Sequence, residues 1–274
     1  MKYFCATYSD FIKFDRKPNE DCFLISKTLP VFAVADGVTQ SHFLSGEYAY
    51  PMGAKAAAEI FCDTAVKSLE NNYQEKDKKN IIKNAFDLIN EKIKQLNISE
   101  GIAKKMNYIE YDLFDTVGAA GFLNGNKLYF GYAGDCGLAI FSKSNKKKFQ
   151  TKDMVAPAVK RFRSLYKDWE NMPLPEKTLI MHRDFRNNPN KKGYGSFSGE
   201  DGAEKYYKFG NKKLNKGDIV VFYSDGFLEL LKNKEFIEIL RKQNKNILDE
   251  FIIKKAKENP KKYGDDRTFV SFIF

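Results

Sequence analysis

Short runs of apolar and β-branched residues, each bounded by Gly, Asn, Asp or Pro, recur along the whole chain and predict β-strands. The Asn124-Gly125-Asn126 segment between two of these runs favours a tight hairpin turn, because Asn and Gly tolerate a positive φ. The lysines at 146–148 are expected to lie on another exposed turn. The predicted strands cover residues 3–8, 22–26, 31–35, 116–123, 127–133, 137–141, 219–224 and 268–274.

Between the groups of strands, apolar residues recur at the three- and four-residue spacing of amphipathic helices. Strands linked by hairpins and separated by two groups of paired helices are typical of an α+β fold, in which helices pack on antiparallel sheets. The predicted helices lie near residues 47–70, 82–96, 233–242 and 246–258.

The interval from about 151 to 213 departs from this pattern. It holds four prolines, the only tryptophan and a basic stretch rich in Asn and Gly from Arg183 to Gly195. We expect little regular structure there. The segment is either a flap that faces a substrate or a plain surface loop.

Composition narrows the class of protein. The chain has 274 residues, of which 43% are hydrophobic, and that is enough for a folded core. No run approaches the ~18 apolar residues of a membrane span. The four cysteines form no CxxC pair, which argues against a zinc knuckle or a disulfide framework and favours a cytoplasmic protein with reduced thiols.

The net charge of +10 comes mostly from lysine runs, which are typical of solvated turns and helix faces. A nucleic-acid binder is therefore the weakest interpretation, since no motif of basic and aromatic residues accompanies these runs. The positive field would still attract anionic substrates.

Acidic residues stand directly beside the ends of several predicted strands. A fold that gathers these strand ends at one edge would bring together four or five carboxylates. Hard divalent cations such as Mg²⁺ or Mn²⁺ would relieve their repulsion. A glycine after a ligand leaves room for a backbone carbonyl and a metal-bound water, since it has no Cβ. The pairs are Glu20-Asp21, Asp36-Gly37, Gly134-Asp135, Asp225-Gly226 and Asp265-Asp266.

The order of these pairs, together with Arg16 and Thr116-Val117-Gly118, resembles the metal-dependent Ser/Thr protein phosphatases of the 2C type, in particular their bacterial single-domain members. The resemblance runs from about residue 3 to the C-terminus and is poor over most of 151–213. It implies a four-layer α-β-β-α sandwich with two antiparallel sheets flanked by helix pairs. It also implies one phosphatase domain over residues 1–274, with an irregular flap-like insertion at about 151–213.

The same resemblance implies two Mn²⁺ or Mg²⁺ ions at one edge of the sheets, and a third, weaker ion as in bacterial members. A hydroxide activated by two metal ions attacks phosphorus in line, so no protein nucleophile is needed. The implied metal ligands are Glu20, Asp21, Asp36, Gly37, Asp135, Asp225 and Asp265. The implied catalytic residues are Arg16, Asp36 and Asp225.

The resemblance also assigns individual roles. Asp36 would bridge both ions, and the Gly37 carbonyl would complete one of the two sites. Asp225 and Asp265 would hold the other ion. Glu20 and Asp21 would act mainly through metal-bound waters, whereas Asp135 would help to bind the third ion. Arg16 would clamp the phosphate, because a guanidinium fork contacts two phosphate oxygens at once.

Several positions leave alternatives open. Val38 stands where eukaryotic relatives have a His, so the proton donor is unassigned and metal-bound water is the default. His42 lies nearby but is more typical of a structural or idle loop histidine. Asp266-Arg267 stands where the family more commonly has Asp-Asn. The register of the resemblance favours Asp265 over Asp266 as the ligand. Glu229 is either another ligand or a carboxylate in the first turn of a helix.

The sequence thus predicts a cytoplasmic, monomeric enzyme that removes phosphate from phosphoserine or phosphothreonine in proteins, with neither a membrane nor a specific nucleic acid as partner. The alternative is a catalytically weak pseudophosphatase that serves as a regulatory binding module. The altered segment Val38-Thr39-Gln40 motivates that alternative.

Overall fold

The computed structural model describes residues 1–12, 17–38, 53–190 and 192–274. Within these ranges, the strands form two five-stranded sheets in which neighbouring strands are antiparallel. The strands are β1 (Tyr3–Tyr8), β2 (Asp21–Ile25), β3 (Val31–Gly37), β4 (Thr116–Asn124), β5 (Lys127–Ala133), β6 (Gly137–Phe141), β7 (Lys147–Gln150), β8 (Lys208–Lys213), β9 (Ile219–Tyr223) and β10 (Arg267–Ile273).

The two sheets stack on a shared apolar layer. One sheet has the strand order β1-β10-β9-β6-β7 and the other has the order β2-β3-β4-β5-β8. The layer between them includes Phe32 and Val34 from β3, Phe222 from β9 and Phe272 from β10. The ring centroids of Phe32 and Phe222 lie 4.8 Å apart, which shows that side chains of the two sheets interdigitate.

Helices cover the outer faces of both sheets. The first pair buries Phe61 and Phe86 against the sheet that contains β3. The later pair buries Phe236 and Phe251 against the sheet that contains β9. The predicted four-layer α-β-β-α arrangement is therefore confirmed. The helices are α1 (Gly53–Asn71), α2 (Lys78–Ser99), α3 (Ile102–Lys105), α4 (Ala156–Leu165), α5 (Leu174–Ile180), α6 (Lys234–Lys242), α7 (Lys245–Glu258) and α8 (Pro260–Tyr263).

Two sequence expectations are wrong. Lys147 and Lys148 belong to strand β7, which pairs with β6, and not to a turn alone. The interval 151–213 contains α4, α5 and β8, and therefore has more regular structure than its prolines suggested. Pro157 and Pro175 lie in the first turns of α4 and α5, where a missing N–H removes no helical hydrogen bond.

The interval 151–213 also has an apolar cluster of its own, formed by Ala158, Phe162, Ile180, Phe185 and Tyr194. The predicted part of the first helix before residue 53 lies outside the described residues. Over the described ranges, no helix is both long enough and apolar enough to traverse a lipid bilayer. The four cysteines are free thiols, as their spacing predicts.

Candidate active site

Two aspartates face each other where the β2–β3 hairpin ends. Asp21 of β2 is the register partner of Asp36 of β3. The hydroxyl of Thr116 in β4 donates a hydrogen bond of 2.6 Å to the backbone carbonyl of Asp36. The backbone of Asp36 is thus held from both sides, which fixes where its carboxylate projects.

Gly37 follows Asp36 at a point of close backbone contact. A Cβ on Gly37 would collide with the carbonyl oxygen of Ala54 in the first turn of α1. Glycine at this position lets α1 begin directly against β3. The sequence suggested that this glycine makes room for a ligand, and the structure adds a packing reason.

The other sheet brings its own carboxylates to the same edge. Asp225 opens a short 3₁₀ turn after β9, and Asp265 precedes β10. Asp135 lies in the connection from β5, in the sheet of β3, to β6, in this second sheet, and it directly follows Gly134, whose φ of 73° favours glycine. Ser224 donates a 2.7 Å hydrogen bond from Oγ to Oδ2 of Asp21, which links the two sheets here.

One cavity of about 260 Å³ gathers five of these side chains. Four were predicted as site residues from the sequence, and the fifth is the alternative ligand Asp266. The interval 151–213 contributes part of the lining through Val155, Met181, His182 and Tyr194. The aspartates that line the cavity are Asp36, Asp135, Asp225, Asp265 and Asp266.

Burial and mutual repulsion disfavour the charged forms of Asp21, Asp36, Asp135 and Asp225. Burial, and then the neighbouring charges of Asp21 and Asp225, raise the pKa of Asp36 well above its usual range. Burial raises the pKa of Asp21 to about 7, although a hydrogen bond from Ser224 opposes the shift. Burial and the charge of Asp265 raise the pKa of Asp225 to about 6. The cavity therefore needs added positive charge if all its carboxyls are to ionise at neutral pH.

The donor set suits hard divalent cations, because every candidate ligand atom is an oxygen. Oδ1 of Asp21 is buried and has no hydrogen-bond partner among the described residues. In those same residues, no three acidic, His or Cys side chains already surround a single point as a metal site would require. An ion such as Mg²⁺ keeps several waters and needs only one or two direct carboxylates, so this open arrangement fits it.

Asp265 and Asp266 have different surroundings. Both oxygens of Asp266 accept hydrogen bonds, Oδ1 from the backbone N–H of Asp10 at 2.6 Å and Oδ2 from Nζ of Lys17 at 2.8 Å. Asp265 is exposed, and within the described ranges its carboxylate accepts one hydrogen bond, at Oδ1 from the Asp266 N–H. Asp265 is thus the one with an oxygen still available to a ligand.

Lys17 and His182 are cavity residues that the sequence pattern does not single out. Besides Asp266, Nζ of Lys17 contacts Oε2 of Glu20 at 2.9 Å, so a buried ammonium neutralises part of the acidic cluster. Burial opposes its charge, but the two carboxylates outweigh burial and raise the pKa of Lys17. Only its position beside Arg16 in the chain hinted at a role.

Some sequence assignments fall elsewhere. Arg16 and His42 lie outside the described residues, as does the Thr39-Gln40 segment. Glu20 is buried, and its carbonyl accepts a 3.2 Å hydrogen bond from the N–H of Gly37. Glu229 forms ion pairs with Lys232 and Lys262 and is not part of the cavity lining.

We expect the metal-free protein to become less stable as the pH rises from about 4 to about 7. The folded chain holds protons on Asp21 and Asp225 up to about pH 7 and 6, whereas the unfolded chain releases them near 3.8. Their contribution to the free energy of unfolding is complete at acidic pH and is lost between about pH 4 and pH 7, which lowers that free energy by a few kcal/mol. Thermal unfolding in EDTA at several pH values would test this, and a melting temperature that rises across the window would contradict it.

Comparison with known proteins agrees with the fold. Residues 15–256 match the family model described as Protein phosphatase 2C. No curated protein matches the sequence. The solved Ser/Thr phosphatase of S. agalactiae has 16% identity and a TM-score of 0.64, with 100% of this chain and 99% of that chain covered.

Two further solved structures are similar over nearly their whole length. The catalytic domain of the Ser/Thr phosphatase PstP, solved with two manganese ions, has 16% identity and a TM-score of 0.62, covering 98% of this chain and 96% of that one. PppA of Pseudomonas aeruginosa has 15% identity and a TM-score of 0.56, covering 100% and 97%. At these identities the likeness establishes the fold, and the family model carries the relationship.

Proposed function

Because this chain belongs to the protein phosphatase 2C family, a family of Ser/Thr protein phosphatases, we propose that it hydrolyses phosphoserine or phosphothreonine in proteins with the help of two divalent metal ions. The observation that carries this proposal is the convergence of aspartates from both sheets in one cavity. Separate strands place these acidic side chains together despite the cost of their repulsion.

Each carboxylate then has a role. Asp36, which lines the cavity from β3, would contact both ions, and the Gly37 carbonyl would complete one site. Asp225 and Asp265 would hold the other ion, and the hydrogen bonds that occupy Asp266 support Asp265 in this role. Glu20 and Asp21 would act through water, and Asp135 would serve a third, weaker ion.

The ions, when bound, supply an acidified water that attacks phosphorus and positive charge that stabilises the transition state. The chain's own contribution is to orient the phosphate. Arg16 is proposed to contact two phosphate oxygens with its guanidinium fork. Lys17 is less suited to this, because Nζ is already held by Glu20 and Asp266. The interval 151–213, which contributes to the cavity wall, is proposed to act as a flap of the same single domain.

A pseudophosphatase remains the second candidate because Val38 stands where eukaryotic relatives have a His. The retained carboxylates speak against it, since a module without turnover has no need to keep Asp36, Asp135, Asp225 and Asp265 in one cavity.

We expect the purified protein to release inorganic phosphate from a phosphoserine peptide in the presence of Mn²⁺. Removing the ions with EDTA should lower the rate at least about a hundredfold, because both the nucleophile and the charge stabilisation are lost, and Mn²⁺ or Mg²⁺ should restore it. Phosphate release measured before and after re-addition of the ion checks this. Calorimetric binding of Mn²⁺ without any hydrolysis would instead favour the binding module.

A further inference from the structure

The interval 151–213 brings a histidine to the wall of the acidic cavity. His182 follows Met181 at the start of a short π-helical turn, Met181–Phe185, that continues from α5. It lines the same cavity as Asp36, Asp135 and Asp225 and is otherwise buried, with 8% of its surface exposed. An imidazole thus faces the space in which a phosphorylated side chain would react.

A hydrogen bond at Nδ1 fixes the orientation of this imidazole. Nδ1 of His182 is hydrogen-bonded to Oδ2 of Asp112, whose side chain is almost fully buried. Asp112 is itself held by Arg186, which donates from Nη2 to Oδ1 at 2.9 Å and from Nη1 to Oδ2 at 3.1 Å. Burial alone would raise the pKa of Asp112, but Arg186 and His182 outweigh burial and hold that pKa well below its usual range.

Asp112 therefore offers the ring an anionic partner at Nδ1. Within the described ranges, Nε2 makes no hydrogen bond, so it is the ring nitrogen left to face the cavity. A carboxylate that anchors one imidazole nitrogen while the other meets the substrate is the arrangement that acid–base catalysis uses in proteins.

The proposed reaction needs such a group. The oxygen that leaves phosphorus is a serine or threonine alkoxide, a strongly basic leaving group that departs faster when a proton reaches it. Val38, the residue after Asp36-Gly37, has no proton to give. Lys17 also lines the cavity, but its ammonium is engaged by two carboxylates.

We propose that His182 is the general acid of this site and that Asp112 is its positioning residue, an inference that rests on the phosphatase function proposed above. As the water oxygen bonds to phosphorus, the bond from phosphorus to the seryl Oγ breaks and its electron pair stays on Oγ. The Nε2 proton of the imidazolium passes to Oγ. The products are a serine hydroxyl and inorganic phosphate, and the neutral imidazole is reprotonated from solvent, which has received the proton that the attacking water gave up.

The test compares two substrates with His182→Asn. The Asn amide can still donate to Asp112 where Nδ1 did, but it has no counterpart of Nε2. We expect kcat/KM for a phosphoserine peptide to fall about 10²- to 10⁴-fold. Activity on p-nitrophenyl phosphate should change little, because its leaving group departs without a proton. The matched control Met181→Leu, at a neighbouring cavity residue that transfers no proton, should affect both substrates equally.

The outcomes separate this inference from the function on which it rests. A wild-type protein that is inactive on both substrates would refute the phosphatase function itself. An active wild type whose His182→Asn variant loses both activities equally would refute the general acid alone, and would indicate a role in binding phosphate.

A second measurement needs no variant. A series of substituted phenyl phosphates of increasing leaving-group basicity should show a shallow dependence of kcat/KM in the wild type, because protonation offsets the developing charge. A steep dependence in the wild type would refute the proposal even if His182→Asn does not fold.

Discussion

Replacing Asp36 by Asn is expected to lower kcat at least about a thousandfold and, at neutral pH, to raise the melting temperature of the metal-free protein. The loss of activity follows because Asp36 is the carboxylate proposed to contact both ions, whose charge stabilisation amounts to several kcal/mol. The gain in stability follows because burial and the charges of Asp21 and Asp225 disfavour an ionised Asp36 in the folded chain. Activity assays and thermal unfolding in EDTA measure the two effects separately.

The combination of a lower kcat with a higher melting temperature makes this test specific. Asp36 and Asp225 line the same cavity, and the charge of Asp225 is one of the causes that raise the pKa of Asp36. The amide of Asn is uncharged at every pH, so the metal-free variant escapes the repulsion that the wild type retains. The matched control is Asp63→Asn on the surface of α1, where Asp63 pairs with Lys67 at 2.7 Å. The control should change neither quantity appreciably, and an Asp36→Asn variant that keeps most of its activity would refute the proposed ligand role.

The central strands could be predicted because they are buried on both faces. Strand β9 (Ile219–Tyr223) is buried throughout, so its sequence is a continuous apolar run bounded by polar residues. Strands β7 and β8 were missed because both are edge strands rich in lysine. Charged residues on an edge strand discourage pairing with other chains, and they also remove the apolar pattern that identifies a strand.

Prolines misled the prediction for the interval 151–213. A proline within a polar stretch indicates either a loop or the first turn of a helix, and the sequence alone favoured the loop. Burial of Phe162 and Ile180 in a shared cluster stabilises α4 and α5. This contact forms between residues from different helices, so no local sequence pattern predicts it.

The carboxylates of the site could be predicted because each one adjoins a strand end. The contact between His182 and Asp112 could not, since it joins positions 70 residues apart through the folding of the intervening chain. Asp112 precedes β4 without an apolar strand before it, and His182 stands in a stretch that resembled a loop. A contact that depends on packing between segments remote in sequence cannot be predicted from the spacing of residues.

Arg186 carries the largest expected effect on stability. Its side chain is fully buried, with Nε donating to Glu200 at 2.8 Å and Nη2 donating to Asp112 at 2.9 Å. Nη1 lies 3.6 Å from Oδ2 of Asp115. Burial opposes the charge of this guanidinium, but the three carboxylates outweigh burial and raise its pKa well above its usual range.

Changing Arg186 to Met should therefore lower the free energy of unfolding by about 3–5 kcal/mol, because Asp112 and Asp115 would remain buried without their cation. Arg183→Met is the matched control three residues earlier, since Arg183 is exposed and pairs only with its exposed neighbour Asp184 among the described residues. That control should cost less than about 1 kcal/mol. Denaturant unfolding at neutral pH measures both variants, and equal losses would show that the buried network contributes no more than a surface pair. A large loss of unfolding free energy confined to Arg186→Met would show instead that ion pairs hold the flap-like interval in place. One of these pairs involves Asp112, the same carboxylate that orients His182.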